Sequence, residues 1–280
     1  MPQDTVFYEK IERIFELKSD ALVMGILNVT SDSFYDGGKY QNNESQLLQC
    51  KRMIDEGVDI IDIGAYSTRP NAKDIPEEDE TKQLCNAIQI VRKNFPNILI
   101  SADTFRATVA EKAIVAGANI INDISGGTMD RQMFETIARL KVPYILMHIL
   151  GTPQTMQKSP NYNDVNKEVF AFFEEQLKKL ELLGVKQVII DLGFGFGKTI
   201  EHNYELLNNL NKFHKLGKPI LVGLSRKSMI YKTLNINTKE SLNGTTILNT
   251  IAIQKGAKLL RVHDVKEAKE VITLTRLLNP

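Results

Sequence analysis

Three side chains that could bind a flat polar ring occur at the ends of different apolar segments. They are Asp103, Asn122 and Asp191. Two carboxylates and an amide present mainly hydrogen-bond acceptors, which suits a heterocycle with a guanidine-like edge of N–H donors. The same residues could instead bind Mg²⁺ or cap the helices that follow them, as Asp103 would before Thr104-Phe105-Arg106. The residues alone leave these three alternatives open.

A second group consists of cations near the C-terminus. It comprises Arg226, Lys227, Arg261 and His263, which follow the last two apolar runs of the chain. Guanidinium groups bind phosphate oxygens in a bidentate way, and lysine adds a compact positive charge. The group therefore predicts an anion site. The alternative is surface ion pairing, with Arg261 bound to Asp264.

The glycine-rich segment from Gly193 to Thr199 is not a Walker phosphate loop, because Leu192 stands where that pattern requires glycine. We interpret it as a tight strand-to-helix loop whose glycines let a ligand approach closely, with Phe196 beside the pocket. His148 ends an apolar run and fits either a site residue or a buried core residue. The sequence contains no Ser-His-Asp set and no clustered metal-ligand motif.

These residues need a scaffold that brings distant segments together. About eight apolar runs alternate with helix-length segments, which predicts parallel strands and the α/β class. Polar groups at nearly every strand end favour a closed (β/α)8 TIM barrel over an open doubly wound sheet, because a barrel gathers those ends on one face. The predicted strands lie in Ala21–Leu27, Val58–Ile63, Ile98–Ile100, Asn119–Ile121, Tyr144–Met147, Val188–Ile190, Ile220–Leu224 and Leu259–Leu260.

We predict a single barrel domain over residues 21–280, preceded by a short N-terminal extension over residues 1–20. Gly57 and Gly117 are expected to stop the helices before them. Longer helices are predicted over Glu201–Leu216 and Thr238–Lys255. Two long polar connections, Asn28–Tyr40 and Tyr66–Asp74, are candidates for lids over the site, with solvated surface loops as the alternative.

The overall composition excludes several classes of function. A net charge of +1 gives no general attraction to nucleic acid or membranes. No run approaches the ~18 apolar residues that span a bilayer, and the charged N-terminus has no secretory core. Cys50 and Cys85 lack the spacing of a metal site or disulfide framework. We therefore expect a cytoplasmic enzyme acting on small molecules.

The chain resembles the dihydropteroate synthases, a family of pterin-binding enzymes, from about Met24 to Val265. Short motifs match that family in order, each at a predicted strand end. They are Met24–Phe34 with Asp36-Gly37-Gly38, Asp62-Ile63-Gly64 with Ser67-Thr68-Arg69-Pro70, Ser101–Thr104, Ile121–Ile124, Leu146-Met147-His148 with Gly151-Thr152-Pro153, Gly193–Lys198, Leu224–Ser228 and Arg261–Val265. Departures from the usual pattern include Ala65-Tyr66 in place of Gly-Glu and Asn71 in place of glycine, both in the second long connection.

The resemblance implies a transferase of folate biosynthesis. It would join 4-aminobenzoate to 6-hydroxymethyl-7,8-dihydropterin diphosphate, giving 7,8-dihydropteroate and pyrophosphate. It implies Mg²⁺ as the cofactor and a homodimer as the assembly. Two other functions remain open, namely a methyltetrahydrofolate-binding methyltransferase and a pterin-binding barrel without catalysis.

The resemblance also implies roles for individual residues. The pterin would be bound by Asp103, Asn122, Asp191, Lys227, Arg261, Met147 and Phe196. The 4-aminobenzoate would be bound by Phe34, Thr68, Pro70 and Ser228. The catalytic group would be Asp36, Arg69, Lys227, Arg261 and His263, with Asn28 as the metal ligand.

Overall fold

The computed structural model describes residues 2–16, 19–29, 39–67 and 74–278. Its parallel strands form a closed barrel in sequence order, so the predicted (β/α)8 TIM barrel is confirmed. The strands are β1 Leu22–Asn28, β2 Ile60–Gly64, β3 Leu99–Asp103, β4 Ile120–Asp123, β5 Tyr144–Met147, β6 Val188–Asp191, β7 Ile220–Val222 and β8 Leu259–Val262. They read as apolar runs because neighbouring strands and surrounding helices bury both faces.

Helices separate the strands along the chain. They are α1 Pro2–Phe15, α2 Lys39–Asp55, α3 Glu77–Asn94, α4 Ala107–Ala116, α5 Met133–Leu140, α6 Val165–Leu182, α7 Ile200–Asn208, α8 Ser228–Tyr231, α9 Leu242–Gln254 and α10 Val265–Arg276. The glycine stops are confirmed: α2 and α4 end just before Gly57 and Gly117, which have φ values of 88° and 117°. Within the described ranges, no helix has the length and apolar character needed to cross a membrane.

Two predicted helices are each divided in the structure. The first becomes α7 followed by a 3-10 helix, Leu210–Leu216, with Asn209 between them. The second becomes a short 3-10 turn, Thr238–Glu240, and then α9. Asn237 caps that turn by accepting hydrogen bonds from the backbone of Lys239 and Glu240. At the break, the hydroxyl of Ser241 donates to the carbonyl oxygen of Thr238 at 2.6 Å, and a local hydrogen bond of this kind competes with a continuous helix.

The helix-capping alternative for Asp103 is wrong. The residue before α4 is Arg106, and its side chain makes no capping hydrogen bond. The first helical N–H, that of Ala107, instead donates to Asp130 Oδ2 at 2.7 Å, from a loop distant in sequence. Asp103 is therefore available for the interior of the barrel.

The N-terminal segment covers the end of the barrel at which the strands begin. Ile14 of α1 is fully buried against an apolar layer that contains Met24, Ile60 and Leu99. Lys258 then fixes the chain after α1, because its ammonium donates to the carbonyl oxygens of Glu16, Ser19 and Asp20. The extension thus packs on the barrel at the end opposite the predicted site.

Candidate active site at the barrel mouth

Closer to the C-terminal ends of the strands than this apolar layer, the residues that point into the barrel are polar. Side chains alternate along a strand, so residues two apart point to the same side. Asp62 therefore points inward like Ile60, and Asn122 points inward like Ile120. The register pairs Asp103 with Asn122 between β3 and β4, and Met147 with Asp191 between β5 and β6. The parallel barrel therefore brings the predicted pterin residues to one end of its interior.

Arg261 is the centre of this polar layer. Its Nε donates to Asp62 Oδ2 at 2.7 Å, and its Nη2 donates to Asp103 Oδ2 at 2.7 Å. Asp62 is fully buried and the Asp103 side chain is 14% exposed. Burial raises the pKa of the Asp103 carboxyl, whereas the Arg261 guanidinium opposes that rise. One guanidinium thus links β8 to β2 and β3 and balances two buried carboxylates.

Asp62 also sets the orientation of the side-chain amide of Asn122. The amide nitrogen Nδ2 of Asn122 donates to Asp62 Oδ2 at 3.1 Å. Its carbonyl oxygen is therefore the group left for a ligand. Asn122 then acts as an acceptor, like the carboxylates of Asp103 and Asp191. This arrangement favours the heterocycle alternative, because a donor edge on the ligand would meet acceptors on every side.

Asp191 and Lys227 form the opposite side of the mouth. Asp191 Oδ1 accepts a hydrogen bond from the backbone N–H of Gly193 at 2.8 Å. Burial raises the pKa of Asp191, and the positive charges of Lys227 and Arg261 lower it. Lys227 donates to the carbonyl oxygen of Phe194, and its ammonium lies 4.8 Å from the centre of the Phe196 ring. Burial lowers the pKa of Lys227 to about 8.

The remaining described candidates line the rim. Met147 is buried in an apolar cluster with Tyr66 and Phe105, and Phe196 packs against this cluster. Ser228 begins α8, directly after Lys227. Asn28, the last residue of β1, and His263, the residue after β8, are both exposed. Other predicted site residues lie outside the described residues, namely Phe34, Asp36, Thr68, Arg69 and Pro70.

The structure corrects two details of the predicted anion site. Arg226 is bound to Asp264 through both Nε and Nη2, at 2.9 and 2.8 Å, and its Nη1 donates to the carbonyl oxygen of Lys239. It therefore holds the loops after β7 and β8 together and is not available to phosphate. The alternative pairing of Arg261 with Asp264 is also wrong, because Arg261 binds Asp62 and Asp103.

Two functional residues were not assigned from the sequence. Asp62 interrupts an apolar strand, and a charge in such a run is a usable signal because a buried carboxylate needs a partner. Tyr66, which departs from the usual family pattern, packs edge-on against Phe105 at 5.0 Å and accepts a hydrogen bond from Gln154. That contact joins the ends of β2 and β5 beside the mouth, and nothing in the local sequence indicates it.

The comparisons with known proteins agree with this geometry. The model of the pterin binding enzyme family matches residues 24–263. The dihydropteroate synthase of Haemophilus influenzae is 42% identical over 252 residues, covering 89% of this chain and 91% of that protein. The Yersinia pestis dihydropteroate synthase, solved with a sulfonamide drug complex, superposes with a TM-score of 0.87 at 38% identity, covering 94% of this chain and 95% of that one.

A further solved relative is the Xanthomonas albilineans dihydropteroate synthase with 4-aminobenzoic acid. It superposes with a TM-score of 0.86 at 36% identity, covering 94% of both chains. The family match begins within β1 and ends at the residue after β8, so it includes the strands that carry the acceptor layer and its guanidinium. The chain therefore belongs to the pterin-binding enzyme family, as one of its dihydropteroate synthases.

Proposed function

We propose that the barrel mouth joins 4-aminobenzoate to 6-hydroxymethyl-7,8-dihydropterin diphosphate, with pyrophosphate as the leaving group. The observation that carries this proposal is the acceptor layer of Asp103, Asn122 and Asp191, which lies around Arg261 and beside Lys227. The donor edge of a pterin complements these acceptors. Hydrogen bonds to charged groups contribute about 1.5–3 kcal/mol each, which suits tight recognition of a small ring.

The reaction depends on electrostatic stabilisation of developing charge more than on proton transfer. The bond between the methylene carbon and the diphosphate oxygen breaks, and the pterin ring delocalises the positive charge left on that carbon. The aniline nitrogen then forms the new C–N bond and releases a proton. Since that amine is already neutral at pH 7, no strong base is needed. Buried carboxylates beside the ring, such as Asp191, stabilise developing positive charge because they are fixed in place before the reaction.

Among the residues that the structure describes, the inner pocket has no surplus positive charge for a diphosphate. The three carboxylates Asp62, Asp103 and Asp191 are matched by three cations, which are Arg261, Lys227 and the deeper Lys198. Among the described residues, carboxylates occupy Nε and Nη2 of Arg261, which leaves Nη1 for a ligand. We therefore infer that the diphosphate lies at the rim near His263, with Arg69, which is outside the described residues, as the further cation that the resemblance implies.

Mg²⁺ fits this assignment as the counterion of the diphosphate. Among the described residues, no cluster of three His, Cys, Asp or Glu side chains could hold a metal. Mg²⁺ often uses one or two protein oxygens, with water and substrate phosphates completing the shell, and the exposed amide of Asn28 can supply such an oxygen. Bound there with Asp36, Mg²⁺ would neutralise charge on the departing diphosphate.

The proposal also includes the assembly and location that the resemblance implies. These are a homodimer in the cytoplasm, acting on small molecules. The balanced charge of the whole chain, +1, is consistent with the absence of a nucleic-acid or membrane partner from the proposal.

A pyrophosphate-release assay tests the reaction itself. We expect release to require both the pterin diphosphate and 4-aminobenzoate, with 7,8-dihydropteroate formed in equal amount. A methyltransferase or a non-catalytic pterin-binding barrel would release no pyrophosphate under any of these conditions. Release that did not depend on 4-aminobenzoate would contradict the proposal.

The pH dependence of kcat/KM tests the role of Lys227. Its ammonium must be charged to donate to the pterin, and burial lowers its pKa to about 8 while Asp191 opposes the shift. The charged form is lost as pH rises through that value, so kcat/KM should fall above about pH 8, since kcat/KM reports the free enzyme. The groups that face Lys227 are Asp191, Arg261, the Phe194 carbonyl and the Phe196 ring.

Lys227→Arg is the matched control for this profile. Arginine stays protonated throughout this range. Whatever its absolute activity, the variant should therefore lack the decline above pH 8. The role is wrong if the wild-type profile stays level up to about pH 9.5.

A further inference from the structure

The glycine-rich loop between β6 and α7 surrounds a buried ammonium that the proposed reaction does not use. Lys198 is 3% exposed. Its Nζ lies 3.0 Å from the carbonyl oxygens of Gly193 and Phe196, and 2.9 Å from Nδ1 of His148. These three close acceptors match the three N–H donors of one ammonium, and the carbonyl oxygen of His148 is a fourth, more distant acceptor at 3.4 Å. No carboxylate of the described residues is within hydrogen-bond distance of it.

These contacts explain why a lysine is tolerated in this position. Burial lowers the pKa of Lys198 to about 7; the positive charge of Lys227 adds to this shift and Asp191 opposes it. Hydrogen bonds to the ammonium favour the charged form. His148 can accept from Lys198 only when its Nδ1 carries no proton. Burial and the adjacent positive charge both lower the pKa of His148, which keeps its ring neutral. In the hydrogen-bonded pair, the ammonium form of Lys198 therefore donates to a neutral acceptor.

The same loop holds the groups that face the pterin. Gly193 donates its N–H to Asp191, and the carbonyl oxygen of Phe194 accepts from Lys227. Gly193 has a φ of 66°, and a Cβ there would overlap the carbonyl oxygen of His148, so the loop lies directly against the end of β5. The loop therefore contacts two ammonium groups. Its carbonyl oxygens at Gly193 and Phe196 accept from the buried Lys198, and the one at Phe194 accepts from Lys227 at the mouth.

We propose that Lys198 is a positioning residue for pterin recognition, whose ammonium ties the loop to His148 and thereby sets the orientation of Asp191 and Lys227. The inference rests on the proposed function, because it concerns the ligand of the same site. Lys198 itself does not touch the substrate. Without it, the carbonyl oxygens of Gly193 and Phe196 would lose their donor, and the loop would rearrange to satisfy them.

A purely structural role would predict loss of stability alone, and the chain provides a matched control for that alternative. Lys258 is 4% exposed and donates to the backbone carbonyl oxygens of Glu16, Ser19 and Asp20. It is a buried lysine among carbonyl groups, like Lys198, but at the opposite end of the barrel. Burial lowers the pKa of both side chains.

The experiment compares Lys198→Met with Lys258→Met in the full-length protein. The affinity for the pterin diphosphate is measured by calorimetry, together with the steady-state kinetics of the aminobenzoate substrate and the Tm. Both variants should lower the Tm. Lys198→Met should weaken pterin diphosphate binding by about tenfold or more, by analogy with the loss of a hydrogen-bond partner that orients a ligand in metal sites, whereas Lys258→Met should leave that Kd within about twofold.

The inference is overturned if Lys198→Met keeps the wild-type Kd, or if both variants weaken binding equally. Should Lys198→Met fail to fold, the pair His148→Asn and His148→Leu decides instead. Asparagine can place an oxygen near the position of Nδ1 and should retain most of the affinity, whereas leucine should weaken it, and equal values would overturn the inference. A wild-type protein that binds the pterin but releases no pyrophosphate would contradict the proposed reaction and leave this comparison intact.

Discussion

Arg261→Met should lower the free energy of unfolding by about 3–5 kcal/mol at pH 7, because it removes one partner of a buried ion-pair network. Two carboxylates, those of Asp62 and Asp103, would then be left buried without their counterion. The pKa of Asp103 is already raised by burial and would rise further. The penalty should therefore be largest at neutral pH and become smaller as the pH falls and the carboxyl takes up a proton.

The same variant should reduce kcat/KM by about 10²–10³-fold, comparable to removal of one fixed donor in other active sites. Urea denaturation at pH 7 and pH 5, with steady-state kinetics, measures both effects. The double variant Asp103→Asn/Arg261→Met should recover part of the stability but not the activity. Arg226→Met serves as the control, since Arg226 is similarly exposed (24% against 21% for Arg261) but pairs with one carboxylate, Asp264, and not with the fully buried Asp62. An equal loss of stability in both arginine variants would contradict the central role of Arg261.

Asp191→Asn should weaken binding of the pterin diphosphate by about 1.5–3 kcal/mol, which is roughly ten- to hundredfold in Kd. The substitution keeps the shape of the side chain, and its oxygen can still accept from Gly193. It replaces the other acceptor by an NH₂ donor, which would face the donor edge of the ring. The stabilisation of positive charge by a carboxylate is lost as well, so kcat should also fall.

Calorimetry with the pterin diphosphate measures this effect directly, and Asp123→Asn provides the control. Asp123 is also a fully buried carboxylate at a strand end, but its oxygens bind the Ser125 hydroxyl, the Gly127 N–H and the Tyr144 hydroxyl. That variant should lose stability while its Kd changes much less. Unchanged pterin affinity in Asp191→Asn would remove Asp191 from the proposed binding site.

The class of fold could be predicted from the sequence because each strand and helix is indicated by its own residues, and the strand–helix unit repeats along the chain. Parallel strands buried on both faces must be apolar throughout, and a helix must follow each one, so the alternation identifies the barrel. The location of Asp103, Asn122 and Asp191 at strand ends then places them at one end of the interior. Their convergence follows from topology, without knowledge of any side-chain contact.

The partners of the charged residues could not be predicted in this way. Arg226 follows β7, and Arg261 lies in β8 three residues before Asp264. Nevertheless Arg226 binds Asp264, while Arg261 reaches across the barrel to Asp62 and Asp103. Likewise, Asp103 stands where a helix cap could be, but Asp130 binds the helix start. Such choices depend on which side of a strand each residue occupies and on which opposite charge is nearest in space.

The sequence by itself therefore determined the barrel, the family and the set of polar residues at its mouth. Only the tertiary structure decided how those residues divide their hydrogen bonds: Asp62 fixes the amide of Asn122, Arg261 is held by two carboxylates, and Lys198 is enclosed by carbonyl oxygens. The reason is physical. The burial of a strand can be predicted from its own consecutive residues. A buried charge, in contrast, is stabilised by groups that are distant in sequence and meet only when the barrel closes.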